Sequence, residues 1–266
     1  MDMKKEFVIF GNPVEHSKSP QMHNAGFKAL EFEGEYKKHL LEDGETIKKV
    51  FLENGYAGAN ITVPHKEVAF RNADEVIGLA NEIKAVNTYI NKDGKIIAYN
   101  TDAPGFLYAI ESFGEIKSVL ILGAGGTAKA VSLALQQSDV DVTVLNRSET
   151  KLSFFKEHQI KAFSWDKFNP EKYDLIVNTT SAGLKDDSYP CDKELLEGLL
   201  KEANGAFDCI YGKITPFLAL AQKIGIPTKD GEDMLLFQGL LAFELFTNTK
   251  ADNSVIEAMR RGLRGE

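Results

Sequence analysis

The sequence predicts an α/β protein of two domains, built mainly on parallel sheets. Three observations predict it. Strand-like and helix-like segments alternate along all 266 residues, with no repeat and no low-complexity linker. Continuous apolar runs, such as "VLIL" at 119–122 and "LIV" at 175–177, suit strands buried on both faces. A glycine-rich turn, "GAGGTA" at 123–128, stands between one such run and a helical stretch.

In the first hundred residues the strands read "EFVIFG", "EYKKHLLE", "GANITV" and a hairpin "AVNTYINKDGKIIAYN", with "KDG" at 92–94 as its turn. In the third strand Ile61 and Val63 alternate against Asn60 and Thr62, and Pro64 ends the ladder. Helices begin near Ser19, Glu45, His65 and Asp74. From 117 a more regular series follows: "KSVLILG", a helix, "DVTVLN", a helix, "YDLIVNTTS" and "GAFDCIY". "GEDMLLFQGLLAFELFTN" reads as one long helix, apolar on most sides and therefore buried, and a short helix spans 254–263. The pattern divides near Asp102–Pro104 and again near Gly231, with the closing helices packing back on the first domain. This gives domains of 1–102 plus 236–266, and 103–235.

Composition is that of an ordinary soluble chain, 43% hydrophobic and 26% charged. A formal charge of −8 argues against nucleic acid or an anionic membrane as a main partner. No apolar run is long enough to span a bilayer. The opening "MDMKKEFVIFG" reads as a first strand, because "FVIF" is too short for a signal-peptide core and no small-residue cleavage site follows. A cytoplasmic protein is expected. Cys191 and Cys209 form no C-x-x-C pair, and the histidines lack ligand spacing, so neither a disulfide framework nor a metal site is expected.

Gly123, Gly125 and Ala128 fit G-x-G-x-x-A between a buried strand and a helix. The first glycine permits the tight turn and the second lets backbone approach a pyrophosphate. The alanine allows close helix–strand packing, and the helix N-terminus supplies donors. About 20 residues on, an NAD-binding chain would carry an acidic residue against the ribose. Here stand Asn146 and Arg147, with Ser148 and Lys151 close behind. A guanidinium can fork onto a 2′-phosphate, which points to NADP; the plain alternative is a solvated loop arginine.

Lys66 stands where a strand hands over to a helix, in "ANITVPHKEVAF". Lysine in a loop is ordinarily just solvated. In a carbonyl reductase, however, a charged lysine can protonate the oxygen as hydride arrives and stabilise the developing alkoxide. A neighbouring carboxylate would hold it charged. Asp102, in "NTDAPGF", is the candidate, and a helix cap before Pro104 is the competing explanation.

"SKSP" at 17–20, "NITVPHK" at 60–66, "AVNT" at 85–88 and "NTDAPGF" at 100–106 together resemble the shikimate dehydrogenase family. So do "GAGGTA", "NRS", "NTTSAG" at 178–183, "DCIY" at 208–211 and "DGEDMLLFQ" at 230–238, in order over nearly the whole chain. The resemblance implies NADPH-dependent reduction of 3-dehydroshikimate to shikimate, in the route to chorismate and the aromatic amino acids. It also implies a mixed α/β substrate-binding domain and a Rossmann NADP-binding domain facing one active-site cleft. Lys66 and Asp102 would be the catalytic pair. Ser17 and Ser19 would bind the substrate carboxylate, Thr62, Asn87 and Gln238 the ring hydroxyls, with Asn60 beside them and Tyr211 near the carboxylate. For Ser19, a helix cap before Pro20 is compatible with this role; for Gln238, a satisfied core amide is the competing explanation. NADP would lie on Gly123, Ala124, Gly125, Gly126, Thr127 and Ala128, on Asn146, Arg147, Ser148 and Lys151, and on Thr179, Thr180, Ser181, Gly231 and Met234.

After Tyr211 the chain reads "GKITPF" where the family has an asparagine–proline pair and a slightly longer loop, which leaves that loop's shape open. Rival assignments are a quinate/shikimate dehydrogenase, a non-catalytic NADP-binding sensor, and another two-domain NADP enzyme such as a methylenetetrahydrofolate dehydrogenase. The expected partners are a small-molecule substrate and no nucleic acid or membrane, in a monomer or homodimer.

Overall fold

The computed structural model describes residues 4–266, and its strands fall into two six-stranded sheets. The elements run β1 (Lys5–Gly11), α1 (Ser19–Ala29), β2 (Gly34–Leu40), α2 (Ile47–Glu53), β3 (Gly58–Ile61), α3 (Lys66–Asn72), β4 (Glu75–Val76), α4 (Ala80–Ile83), β5 (Thr88–Lys92) and β6 (Lys95–Tyr99). Then come α5 (Asp102–Ile110), β7 (Ser118–Leu122), α6 (Gly126–Gln137), β8 (Asp141–Asn146), α7 (Ser153–Glu157), β9 (Lys161–Ser164), β10 (Leu175–Asn178), α8 (Lys193–Glu202), β11 (Gly205–Asp208), α9 (Pro216–Ile224), β12 (Thr228–Lys229), α10 (Glu232–Thr247) and α11 (Asn253–Arg264). The chain separates into two compact units, residues 1–101 with 236–266 and residues 102–235. Asp102 therefore opens the second unit, and the later boundary falls inside α10.

The first unit carries the sheet β2-β1-β3-β5-β6-β4, parallel at β2-β1-β3 and antiparallel across β3-β5-β6. Phe7, Phe27, Tyr36, Phe51, Tyr89 and Phe243 are among its largest fully buried side chains. Helix α11 lies close against α1. A methyl on Gly262 would sit 2.6 Å from the Gln21 carbonyl oxygen, and one on Gly26 would sit 2.8 Å from Met259 and Phe243. The expected hairpin turn is present, with Asp93 and Gly94 both at positive φ.

Three local expectations differ from the fold. The third strand stops at Ile61: Thr62 still bonds Phe10 through its amide, but the His65 amide then closes a turn onto Thr62, leaving Val63 69% exposed. The helix expected near Asp74 is instead the short β4 followed by α4. Asp74 exchanges its backbone amide and its carboxylate with Ile96, which draws the segment onto the edge of the sheet. Ser19 is the first residue of α1, not its cap; Lys18 occupies the cap, and the Ser17 hydroxyl accepts the Ser19 amide at 3.2 Å.

The second unit is a wholly parallel sheet in the order β12-β11-β10-β7-β8-β9. Strands β7, β8, β10 and β11 are buried throughout their centres, as the runs at 119–122 and 175–177 foretold. Strands β9 and β12 have no counterpart in the sequence pattern. The order reverses between β7 and β10, so the carboxyl ends of these two strands open a crevice at the topological switch point. Among the described residues no helix is long and apolar enough to cross a membrane, and no cluster of His, Cys, Asp and Glu could hold a metal.

Candidate active site

In the first unit a connected set of neutral polar groups lies at the ends of β3 and β5. Asn60, the third residue of β3, donates to the Asn87 carbonyl at 3.2 Å and to Thr88 Oγ1 at 3.1 Å. The Tyr36 hydroxyl donates to Asn60 Oδ1 at 2.7 Å. Asn87 Nδ2 donates to Thr101 Oγ1 at 2.9 Å and to Gln238 Oε1 at 3.4 Å, while its Oδ1 accepts the Thr101 amide at 2.8 Å. Buried amides of this kind survive only when their lone pairs and protons find partners. Here each amide orients the next, and side chains from β2, β3, α10 and the segments before β5 and α5 converge.

Lys66 is half-buried as the first residue of α3, and its carbonyl accepts the Val86 amide at 3.0 Å, one residue before Asn87. His65, the N-cap, is buried and donates from Nε2 to the Leu41 carbonyl at 2.7 Å. That bond pins the turn from which Lys66 projects, so the histidine of "PHK" is a structural anchor. Thr62 is half-buried in the same turn, and Ser17 and Ser19 lie where α1 begins, with the Ser19 hydroxyl facing the Tyr36 phenol. Thus Ser17, Ser19, Asn60, Thr62, Lys66, Asn87 and Gln238 all belong to one unit. Sequence reading missed Tyr36, Thr88 and Thr101, which complete the polar set.

In the second unit the nucleotide features gather at the switch point. Gly123 has φ +109, and a methyl there would meet Thr179 Oγ1 and Thr180 Cγ2 at 2.8 Å each. By contrast a methyl on Gly125 or Gly126 would meet nothing within 4 Å. Gly125 caps α6 without a side-chain cap, and the first bond back to it comes from the Lys129 amide. The amides of Gly126, Thr127 and Ala128 precede the helix's own ladder, and the space beside Gly125 and Gly126 is open, which fits a pyrophosphate. Ala128 is fully buried and serves the packing; Ala124 is buried in the turn.

A cleft of about 340 Å³ opens beside this turn, lined by Gly123, Asn146, Arg147, Trp165, Thr180 and Ser181, among others. Arg147 is exposed and makes no ion pair among the described residues. The Glu149 carboxylate, two residues on, is held by Lys167 at 2.7 Å and Lys156 at 3.4 Å, which depress its pKa; a second carboxylate, Asp186, lines the same cleft and accepts the Ser188 hydroxyl at 2.6 Å. The donor set fits a nucleotide bearing a 2′-phosphate. Ser148 and Lys151 lie on the following turn, with Asn146 Nδ2 bracing the Ser148 carbonyl at 2.9 Å. Trp165, just after β9, is one of the lining residues that sequence reading missed, with Asp186, Ser188 and Tyr189 among the others.

The far wall is ordered by a buried carboxylate. Asp208 accepts from Asn178 at 3.1 Å, from the Ile210 amide at 3.0 Å and from the Thr215 hydroxyl at 2.6 Å; burial raises its pKa. Asn178 Oδ1 in turn accepts from the Thr180 amide and hydroxyl at 3.0 and 2.7 Å, and the Thr179 amide bonds the Leu122 carbonyl. Gly231 packs directly on the Cys209 carbonyl, where no side chain fits, and Met234 is buried three residues on. Neither Gly231 nor Met234 lines the cleft. Tyr211 is 38% exposed at the start of the altered loop. Asp102 is half-buried as the first residue of α5, so the helix begins at the aspartate and not at Pro104.

Comparison with known proteins bears on the same residues. The family model described as the shikimate dehydrogenase substrate binding domain matches residues 9–89, and that for the shikimate 5′-dehydrogenase C-terminal domain matches 231–264. Shikimate dehydrogenase (NADP(+)) of Helicobacter hepaticus is 46% identical over 256 residues, spanning 96% of this chain and 95% of that protein. The chain belongs to the shikimate dehydrogenase family. The Helicobacter pylori J99 shikimate dehydrogenase (NADP(+)) is 43% identical over 96% of this chain and 98% of its own. Among solved structures, the Thermus thermophilus shikimate 5-dehydrogenase in complex with NADP(H) and shikimate superposes with a TM-score of 0.86 at 35% identity. That match covers 97% of this chain and 99% of the other. These whole-length shikimate dehydrogenase matches also span 90–230, between the two family models.

Proposed function

We propose that this chain is an NADP-dependent shikimate dehydrogenase, reversibly reducing 3-dehydroshikimate to shikimate in aromatic amino-acid biosynthesis. The observation that carries this is similarity to NADP-dependent shikimate dehydrogenases over 95% or more of their length. The fold and the Arg147 cleft agree with it. NADPH, when bound, supplies a hydride to the substrate carbonyl carbon. The chain's own residues bind, orient and move the proton.

On this reading Asn60, Thr62, Asn87 and Gln238 receive the ring hydroxyls. A small polyhydroxylated acid needs many neutral donors and acceptors and few charges, and the Asn60–Asn87–Gln238 set has that character. Ser17 and Ser19, at the start of α1, take the carboxylate together with Tyr211; a helix start favours an anion. Lys66 gives the proton to the carbonyl oxygen and takes it back in the reverse direction, and Asp102 keeps the ammonium charged and oriented. Arg147, Asn146, Ser148 and Lys151 hold the 2′-phosphate. The Gly123–Ala128 turn holds the pyrophosphate, and Thr179, Thr180 and Ser181 border the rest of the cofactor. Residues 1–101 with 236–266 form the substrate domain and 102–235 the cofactor domain. We assign the enzyme to the cytoplasm, as a monomer or homodimer. The test is oxidation of shikimate by NADP⁺, with 3-dehydroshikimate identified as product; absence of that product overturns the reading.

A further inference from the structure

His23 is the anomaly of the first unit. It is fully buried, and neither ring nitrogen has a hydrogen-bond partner among the described residues. Leaving an imidazole donor and acceptor unpaired in a core costs stability, and a purely apolar ring would escape that cost. Its surroundings are Phe27, Tyr36, Phe243 and Phe246, and burial pulls its pKa down to about 3, so it stays neutral. Against Tyr36 the contact is specific. The two rings lie 4.4 Å apart between centroids and 2° from parallel, while the other three neighbours meet His23 at 29° to 50° and 5.5 Å or more.

The next residue, Asn24, grips the same tyrosine by its backbone. Asn24 Nδ2 donates to the Tyr36 carbonyl and Asn24 Oδ1 accepts the Tyr36 amide, both at 2.9 Å. Strand β2 is at the sheet edge, so the asparagine amide stands in for the missing neighbouring strand. Consecutive residues of α1 thus hold one tyrosine by ring and by backbone. The tyrosine hydroxyl, held in this way, donates to Asn60 Oδ1 at 2.7 Å, with the Ser19 hydroxyl alongside.

We propose that His23 and Asn24 form a clamp that fixes Tyr36, and that the Tyr36 hydroxyl sets the orientation of Asn60 and Ser19 for substrate. His23 and Tyr36 are positioning residues, and the proposal rests on the assignment of Asn60 and Ser19 to shikimate made above. The experiment compares Tyr36→Phe, His23→Leu and the double variant in steady-state oxidation of shikimate. NADPH affinity is read from quenching of Trp165, the chain's one tryptophan, which lies in the other unit, and folding is read by thermal melting. Tyr36→Phe should raise KM for shikimate about tenfold, as loss of one buried hydrogen bond does, with kcat within about threefold and NADPH affinity unchanged. His23→Leu should raise KM in the same sense, and the double variant should be no worse than Tyr36→Phe, because both act through one hydroxyl. A lowered melting point with wild-type KM in His23→Leu, or a double-variant KM equal to the product of the single effects, overturns the clamp. Wild-type turnover in the same assay tests the functional assignment separately.

Discussion

Removing the Lys66 ammonium should cost chemistry more than binding. Lys66→Ala is expected to lower kcat by roughly 10²–10⁴-fold with little change in KM, the mark of an interaction made in the transition state. Asp102→Asn should lower kcat as well; full activity in that variant would leave Asp102 as a helix-start residue only. Arg147→Ala should weaken NADPH by about one to two orders of magnitude and leave NADH nearly unchanged, since only the former carries the phosphate. Equal losses would make Arg147 a loop support. His23 supplies a pH test. Its pKa is about 3 folded against an ordinary 6.5, so the unfolded chain takes up a proton first as pH falls. Stability from this residue is whole above pH 6.5 and lost progressively towards pH 3. At pH 5 the loss is about 2 kcal/mol, and His23→Leu should lack that portion in urea titrations at pH 7 and pH 5. An identical pH dependence in both proteins would contradict it. At this scale the short motifs were readable, because "NITVPHK", "AVNT" and "NTD" place their polar residues at strand ends. Tyr36, Thr88, Thr101 and Trp165 were not. Tyr36 sits in "EYKKHLL", which reads as a plain edge strand, and its partners Asn24 and Asn60 lie 12 and 24 residues away.

At the scale of elements, the buried strands and the glycine turn announced themselves through long apolar runs and a special backbone requirement. Gly123 carries the sharpest consequence. Gly123→Ala forces an L side chain to φ +109 against Thr179 and Thr180, so both thermal stability and NADP binding should fall. Unchanged NADP affinity in a folded variant would show that the turn tolerates a side chain. Gly262→Ala should lower the melting temperature with cofactor affinity intact, because its methyl would press on the α1 backbone, within the unit that lacks the glycine turn. What the pattern hid was short and context-dependent. Strands β4 and β12 are two residues each, and β9, "KAFS", carries one hydrophobic alternation only. Such segments become strands through a neighbour's ladder, as the Asp74–Ile96 exchange illustrates. The end of β3 was misread for the converse reason: Val63 continues the alternation, but the chain has already turned at Thr62.

For the whole molecule, the two sheets divide the labour. One presents neutral amides and hydroxyls with Lys66; the other presents a glycine turn, a switch-point crevice and Arg147. NADP⁺ binding to the folded chain alone should raise its stability by about 2.7 kcal/mol at 100 times Kd, and NAD⁺ at the same concentration should do far less. The sequence divides near Asp102, where two different regularities meet, and again near Gly231; in the structure the second boundary falls between Leu235 and Leu236, inside α10. The most direct measurement is kcat/KM for shikimate and for quinate, each with NADP⁺ and with NAD⁺, on the wild-type protein. Shikimate with NADP⁺ should be the preferred pair by at least an order of magnitude, with kcat in the usual range of about 1–10³ s⁻¹. Preference for quinate or for NAD⁺, or binding of NADP⁺ without turnover of any pair, would contradict it.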